Sequence, residues 1–532
     1  MKRISCIVLS LILIVLGFSS VFAGGGAQRG GTGSGTSSGP SKLTIYFNTA
    51  GQALPDNFDY YKDPFLLEIC RLANVEFTDI TVPVYADRDV RFNLLIASGN
   101  LPDIVHYGGA PALNAMANAG RDGAFLDLTD FASSSSIINS KYSREQINGM
   151  KSDDGKIYTI VSRPIADGWS GFATRWDLLQ EVGYNALPTT LEGWVEAMKK
   201  VKDRYPSSLP YTTMGMDNYQ HFLFTPFGLF DGIDWQYYKG QIVNSFAKPN
   251  LDKAILFGKQ LLADGLLDRE FVTNKQQDHG IKKTTRQSVV IPMNLGTTVT
   301  TLAMFRANGV MDAIMVMAPY PIVDDGTIDP YSYNTSPQFL ARQCISVSAR
   351  SRDPGAAKRF IEVLLSDEVN DLVVYGREGI EYKLQNNIKV PDAEKSTETA
   401  YRNIYGIMIS YNPLESIRLR NEISIAAMVE KSEAERKAYN DVFFKYYDDL
   451  LKLRYDKVGP DPKVMILLSD TALARSQEAI ALQKTLIMRA LMDEITIDDL
   501  MSQAAELVRR YQDVTDEYNA KLPAVKQLIG IN

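Results

Sequence analysis

The chain has 532 residues, 45% apolar and 22% charged, ordinary values for a globular protein, and this length allows a large core and two to four domains. A formal net charge of −7 argues against nucleic acid or an anionic membrane surface as partner. The only histidines, His106, His221 and His279, are far apart and form no HExxH, no cysteine pair has zinc spacing, and no Gly-x-Ser-x-Gly elbow occurs.

In chain order, Lys2 and Arg3 precede an apolar run, Ile7 to Val15, and the small-residue motif Val21-Phe22-Ala23. Residues 1–23 therefore read as a cleaved signal peptide, too short in its apolar core to serve as a membrane anchor. Export is expected, with a mature chain beginning at Gly24. Cleavage also removes the charges of Lys2 and Arg3, which takes the net charge from −7 to −9. Residues 24–40 are almost wholly Gly, Ser and Thr, a flexible leader. Cys6 is lost with the signal. Cys70 and Cys344 sit among apolar neighbours and read either as buried free thiols or as a disulfide.

Lys42 to Phe47 predicts a strand, and Asp63-Pro64 caps a helix with Phe65, Leu66, Ile69 and Leu72 on one face. Val75 to Val82 reads as a second strand. A helix opened by Asp87, with Val90, Leu94 and Ile96 inward, stops at Gly99, and Leu101 to Val105 is a third strand. This βαβαβ order predicts a parallel sheet with ligands at the carboxyl ends of its strands. There stand His106 and Tyr107, and Asn48 just past the first strand. Asp103 reads as a structural turn or cap acceptor.

Ile157 to Val161 is β-branched or aromatic between Asp154-Gly155 and Arg163-Pro164, a strand between turns. After it come the Gly-flanked Trp169, a helix from Trp176 to Glu181 stopped by Gly183, and a second helix with Thr189 as cap and Glu192 at its third position.

The order "DGKIYTI", "TRWDLLQEVG" and "LPTTLEGWVEAMKKV", together with "RFNLLIASGNLPDIV" (Arg91 to Val105) and the helix after Asp353-Pro354, resembles the bacterial extracellular solute-binding proteins of family 1, the binding components of ABC sugar importers. The likeness runs from about Lys42 to Lys521. Its elements are individually weak and jointly specific. This chain departs from the pattern at Val161-Ser162-Arg163-Pro164, where the family has Pro directly after the strand. No Cys follows Ala23, where many relatives carry a lipidated one, so no lipid anchor is expected.

The resemblance implies an α/β, two-lobed periplasmic binding protein fold of type II, with parallel-sheet lobes, a hinge and a helix-rich C-terminal region. Lobe 1 is expected over 41–160 plus about 338–370, and lobe 2 over 161–337 plus about 371–532. Ile157 to Val161 would then be the first crossover, and the Pro-, Asp- and Tyr-rich segment around Tyr320 to Phe339 the return.

A sugar presents apolar C–H faces and a rim of hydroxyls, so its site needs aromatic platforms with planar amides, carboxylates and guanidinium groups. Trp169 and Trp235, each beside glycines, are the candidates for exposed rings, with Tyr237 next to the second. Arg175 can pair with a ligand or with a structural carboxylate. The family places a ligand-facing loop after the strand Ser288 to Asn294, which nominates Asn294 and Thr297, and the turn Tyr375 to Ile380 nominates Glu378.

Two near misses carry nothing. Gly149 to Ile157 has one residue too many for a phosphate loop and Ile where Ser or Thr must stand, and Asp324-Asp325-Gly326 lacks the ligand pattern of an EF-hand. No cofactor or metal is expected. The preferred function is a monomeric, exported carrier that closes around an oligosaccharide and delivers it to an ABC permease. The alternative is a secreted carbohydrate-active enzyme, a glycosidase or polysaccharide lyase, which needs a placed acid and base. A peptide or another solute as ligand stays open.

Overall fold

A computed structural model describes residues 39–52, 54–109, 112–162, 171–216, 220–230, 232–293, 301, 304–305, 308–323, 343–385, 388–409, 425, 431–457 and 462–529. Strand β1 (Ser41–Tyr46), helix α1 (Pro64–Ala73), strand β2 (Val75–Thr81), helix α2 (Arg88–Ser98) and strand β3 (Ile104–Gly108) form the expected βαβαβ unit, with β1 parallel to both β2 and β3. Local chemistry sets its punctuation. The Asp63 carboxylate accepts from Leu66 N at 2.9 Å ahead of Pro64, and Gly99 ends α2 at φ 62°. Asp103 accepts from Thr44 N, Thr44 Oγ1, Ser351 Oγ and Arg352 N, pinning the start of β3 to β1 and to the later chain. Helix α2 is rotated from its expected orientation: Phe92 is its buried residue, while Val90 and Leu94 are 63% and 58% exposed.

Strand β4 is shorter than expected, Ile160–Val161, and leads toward the first crossover. Beyond it, β5 (Gly171–Arg175) opens the second lobe, followed by the helices Trp176–Glu181 and Leu191–Arg204. The latter is capped one residue later than expected, by Thr190, whose hydroxyl accepts from Gly193 N. The hairpin β6 (Trp235–Tyr238) and β7 (Gln241–Asn244) comes next, then β8 (Ile291–Pro292) and β9 (Met315–Pro319). Strand β10 (Gln343–Val347) is back in the first sheet, whose order is β2-β1-β3-β10-β4.

Among the described strands the expectation of parallel sheets in both lobes holds for β1, β2 and β3, while in the second lobe isolated parallel bridges join Tyr211 to Leu267 and Val290. In the second sheet β5 lies between β8 and β9 and is antiparallel to both, and in the first β10 is antiparallel to β3 and β4. Connectivity explains this. The chain leaves the first lobe through β4 and enters the second through β5; it leaves through β9 and returns through β10. Outgoing and returning strands laid side by side must oppose each other.

Two main cores result. The first gathers Leu43, Ile45, Ile104, Ile160, Val161, Ile345, Val347, Phe360 and Ile361. It also takes in Leu372, Val373, Ile404, Tyr405 and Met408, past the boundary expected near 371, because the helices that carry them bury apolar faces against this core. The second core joins Phe172, Trp194, Tyr211, Phe222 and Ile255 to residues of the C-terminal helices, among them Ile487, Leu507, Tyr511 and Tyr518. Between residues 465 and 468 the chain serves both: Met465 and Leu467 pack in the first core, Ile466 and Leu468 in the second. Cys70 and Cys344 are both buried in the first lobe as free thiols. Burial pushes the Cys70 thiol up to about 12. No helix among the described residues is long and apolar enough to cross a membrane.

Candidate functional site

The strands that flank the two crossovers pair with each other in each lobe. Val161 pairs with Cys344 on the first-lobe side and Gly171 with Pro319 on the second. Beside them, at the carboxyl ends of β1 and β3, the first lobe buries polar groups that it does not satisfy. Asn48 is 1% exposed; its Oδ1 accepts from Ala50 N at 3.0 Å, and its Nδ2 has no partner. His106, opposite Ile345 of β10, is fully buried with no hydrogen bond of good geometry at either ring nitrogen; burial lowers its pKa to about 3, against the opposing pull of the Gln343 side chain beside it. It is a neutral imidazole with one donor and one acceptor to offer.

The Gln343 side chain lies over Gly108, where any Cβ would overlap its amide, and its Oε1 is likewise unpartnered. The Tyr46 hydroxyl is buried without a partner, and burial pushes it up to about 12. On the second-lobe side, Tyr320 follows β9 with its hydroxyl unpartnered and its ring against Phe172 and His221. The Gln220 Oε1 and Thr174 Oγ1 atoms are also buried and unpartnered. Buried polar groups are almost always hydrogen-bonded in folded proteins. Exceptions occur elsewhere in the described residues too, among them Ser152, Ser208 and Tyr511; those near the ends of strands flanking the crossovers are candidates for bonding a ligand.

The other nominated residues separate. Tyr107, pointing to the opposite face of β3 from His106, stacks on Phe92 at 3.9 Å and donates to Asp89 Oδ1 at 2.7 Å; it is committed to α2. The Arg175 guanidinium is 6% exposed, bonded to the Asp177 carboxylate and set over the Phe305 ring. This is the structural ion pair of the two readings. The exposed placement expected for Trp235 and Tyr237 is overturned. Trp235 is 0% exposed and Tyr237 5%, and the indole N–H of Trp235 donates to Thr515 Oγ1. The C-terminal helix Gln512–Ile529 packs on the β6–β7 hairpin, with its Tyr518 ring against that of Trp235.

Glu378 stands exposed on its turn, and the buried carboxylate there is Glu381. Burial alone would raise Glu381, but hydrogen bonds from Arg377 N, Nε and Nη2 outweigh it and hold the carboxyl below its usual range. Trp169, Asn294 and Thr297 lie outside the described residues, as does most of the expected return segment. The sequence reading missed Tyr46, Gln220, Gln343 and Tyr320. Each adjoins a strand or helix end, a signal present in the sequence but shared with many residues that have no such role. Among the described residues no group of three or more His, Cys, Asp or Glu could hold a metal ion.

The sequence profile of the bacterial extracellular solute-binding proteins matches residues 73–371, more than half of the chain. The chain belongs to that family. As a solute-binding protein it shares its fold with structures of low sequence identity. The alginate-binding protein AlgQ2, solved without calcium ion, superposes with a TM-score of 0.64 at 17% identity, over 92% of this chain and 97% of that one. The N-glycan transport solute-binding protein NgtS of Streptococcus pneumoniae, in complex with Man5GlcNAc, gives 0.57 at 14%, over 92% and 99%. The S. pneumoniae ABC-transporter substrate-binding protein FusA, in complex with kestose, gives 0.66 at 15%, over 92% and 100%. No curated protein matches the chain. The solute-binding fold accounts for the crossovers and for the pairing of strands across them.

Proposed function

We propose that this solute-binding protein takes an oligosaccharide between its lobes and hands it, chemically unchanged, to the permease of an ABC importer. The observation that carries the reading is the set of buried, unpartnered polar groups beside the crossovers: the Asn48 amide, the His106 imidazole, the Gln343 carbonyl and, from the second lobe, Gln220 and the Tyr320 hydroxyl. These are neutral donors and acceptors, the complement of a hydroxyl rim, and neutrality suits an uncharged sugar better than an ionic ligand. The alginate-binding, N-glycan-transport and kestose-bound fold relatives named above support oligosaccharide as the ligand class. Trp169, Asn294 and Thr297 are proposed as further contacts from their places in the sequence.

Export by the signal at residues 1–23 and action as a monomer belong to the same reading. Ligand held between lobes touches both only when they are closed, so its binding energy shifts the population toward closure, and the permease can tell loaded from empty protein by shape. A thermal-shift screen over neutral and acidic oligosaccharides tests the proposal, because a tight ligand raises the midpoint by mass action. The expected result is saturable stabilisation with the sugar recovered intact. Cleavage of the sugar would move the protein to the carbohydrate-active enzymes, and stabilisation by peptides alone would replace the ligand class.

A further inference from the structure

Besides the two crossovers, the lobes meet through the chain's C-terminal part, and charged groups hold that third link. The segment from Met465 to Leu468 alternates its side chains between the two cores. After Ser469 the helix Asp470–Leu491 begins, and the Asp470 carboxylate accepts from the Asn118 amide of α3 (Ala112–Arg121) in the first lobe. The helix Gln512–Ile529 joins the second core through Val514, Tyr518 and Leu522, and packs against the first-lobe helix Arg144–Gly149.

From that C-terminal helix Lys521 reaches three ways. It donates to the Leu467 carbonyl in the shared segment, bonds Asp153 of the first lobe at 2.9 Å and lies 3.3 Å from Glu517 on its own helix. Arg121, which also bonds Asn118, lies 3.7 Å from the same Asp153 carboxylate. Glu517 in turn accepts from Ser469 N and Oγ at 2.6 and 2.7 Å. Every group of this cluster is partnered by another, and its members come from both lobes.

We infer that the Asp153–Lys521 pair, backed by Asn118–Asp470, is an inter-lobe clamp that limits how far the ligand-free protein opens. Attachment through the two crossovers alone would leave the lobes free to swing. A third attachment, displaced from them and holding both lobes, restricts that swing to rotations that keep Lys521 in reach of Asp153. The side chains of Lys521 and Asp153 are 28% and 50% exposed, so added salt reaches and screens the pair, and the opening angle responds to ionic strength.

The test is solution scattering of the ligand-free protein at about 10 mM and 1 M salt, where the screening length falls from roughly 30 Å to 3 Å. Wild type, Lys521→Ala, Asp153→Ala and the double variant are compared, with thermal unfolding to certify the fold of each. The inference expects a larger radius of gyration for either single variant at low salt, no further increase in the double variant, and a salt-induced expansion in wild type that the variants lack. Equal radii for all four at low salt, or the same salt response in all, would overturn it. The wild-type salt arm stands without any variant. Because no ligand is used, the outcome is independent of the proposed sugar, although the idea of opening rests on the two-lobed reading.

Discussion

The indole nitrogen of Trp235 donates to Thr515 Oγ1 at 2.8 Å, in the buried contact between the β6–β7 hairpin and the C-terminal helix. Replacing Thr515 by Val keeps the shape and removes the acceptor, which leaves a buried N–H unsatisfied at a cost of about 1–3 kcal/mol. Urea denaturation of the Thr515→Val variant measures this. A loss below a few tenths of a kcal/mol would mean that the indole finds another acceptor.

The unpartnered Asn48 amide makes a different prediction. Asn48→Ala removes an Nδ2 that nothing satisfies and also the Oδ1 that accepts from Ala50 N, so the two effects on stability oppose and the net change stays within about 1 kcal/mol, whereas ligand affinity falls by roughly 1–3 kcal/mol if the amide bonds the ligand. Calorimetric titration beside a melting curve separates stability from affinity. A larger loss of stability with unchanged affinity would assign the residue to packing.

His106 and His279 are both buried, and burial, aided at His279 by the charge of Lys283, lowers each to about 3. An unfolded histidine titrates near 6.5. The folded values are depressed, so the unfolded state binds the extra protons first. Stability is full above about pH 6.5 and falls as pH drops from there toward 3, by up to about 1.4 kcal/mol per pH unit for each ring. Between roughly pH 6.5 and 5.5, above the carboxylate midpoints, both rings contribute to the slope. Denaturation at stepped pH over that window should give a smaller slope for His106→Gln than for wild type; an unchanged slope in the variant would contradict the assignment.

Gly171 opens β5 directly after the first crossover, and a Cβ there would stand 2.2 Å from the Ala318 carbonyl oxygen of β9. That oxygen is backbone and cannot swing aside as a side-chain tip can. Gly171→Ala should destabilise by about 1–3 kcal/mol, read from the denaturation midpoint. A neutral result would require β5 and β9 to separate at no cost.

What the sequence made legible was what neighbours within a few residues decide. Asp63-Pro64 and Asp353-Pro354 start helices, and Gly99 ends one, because a cap or a positive φ needs no distant partner. Asp103 was readable as structural for the same reason. Helix α2 was not: its residues Val90, Phe92, Leu94, Leu95 and Ile96 offer two overlapping apolar faces, and the sheet selected the one holding Phe92, Leu95 and Ile96. Trp235 was misplaced because the helix that packs on it lies nearly three hundred residues later. In the candidate site, Asn48 and His106 followed from strand-end logic, whereas Gln343 and Tyr320 gain their place only when the returning chain is laid beside the outgoing one. The reach of the first core to Met408 was hidden likewise, since an amphipathic helix does not say which core it serves.

The alternation of Met465, Ile466, Leu467 and Leu468 between the cores also bears on how such a chain can vary over evolutionary time. With a side-chain period of two, inserting or deleting one residue there would turn each apolar group toward the wrong lobe at once. Loops before and after can lengthen at little cost, but these four positions hold the two lobes in a common reading frame. Length changes in related chains should therefore collect outside this short stretch, whichever solute each chain carries.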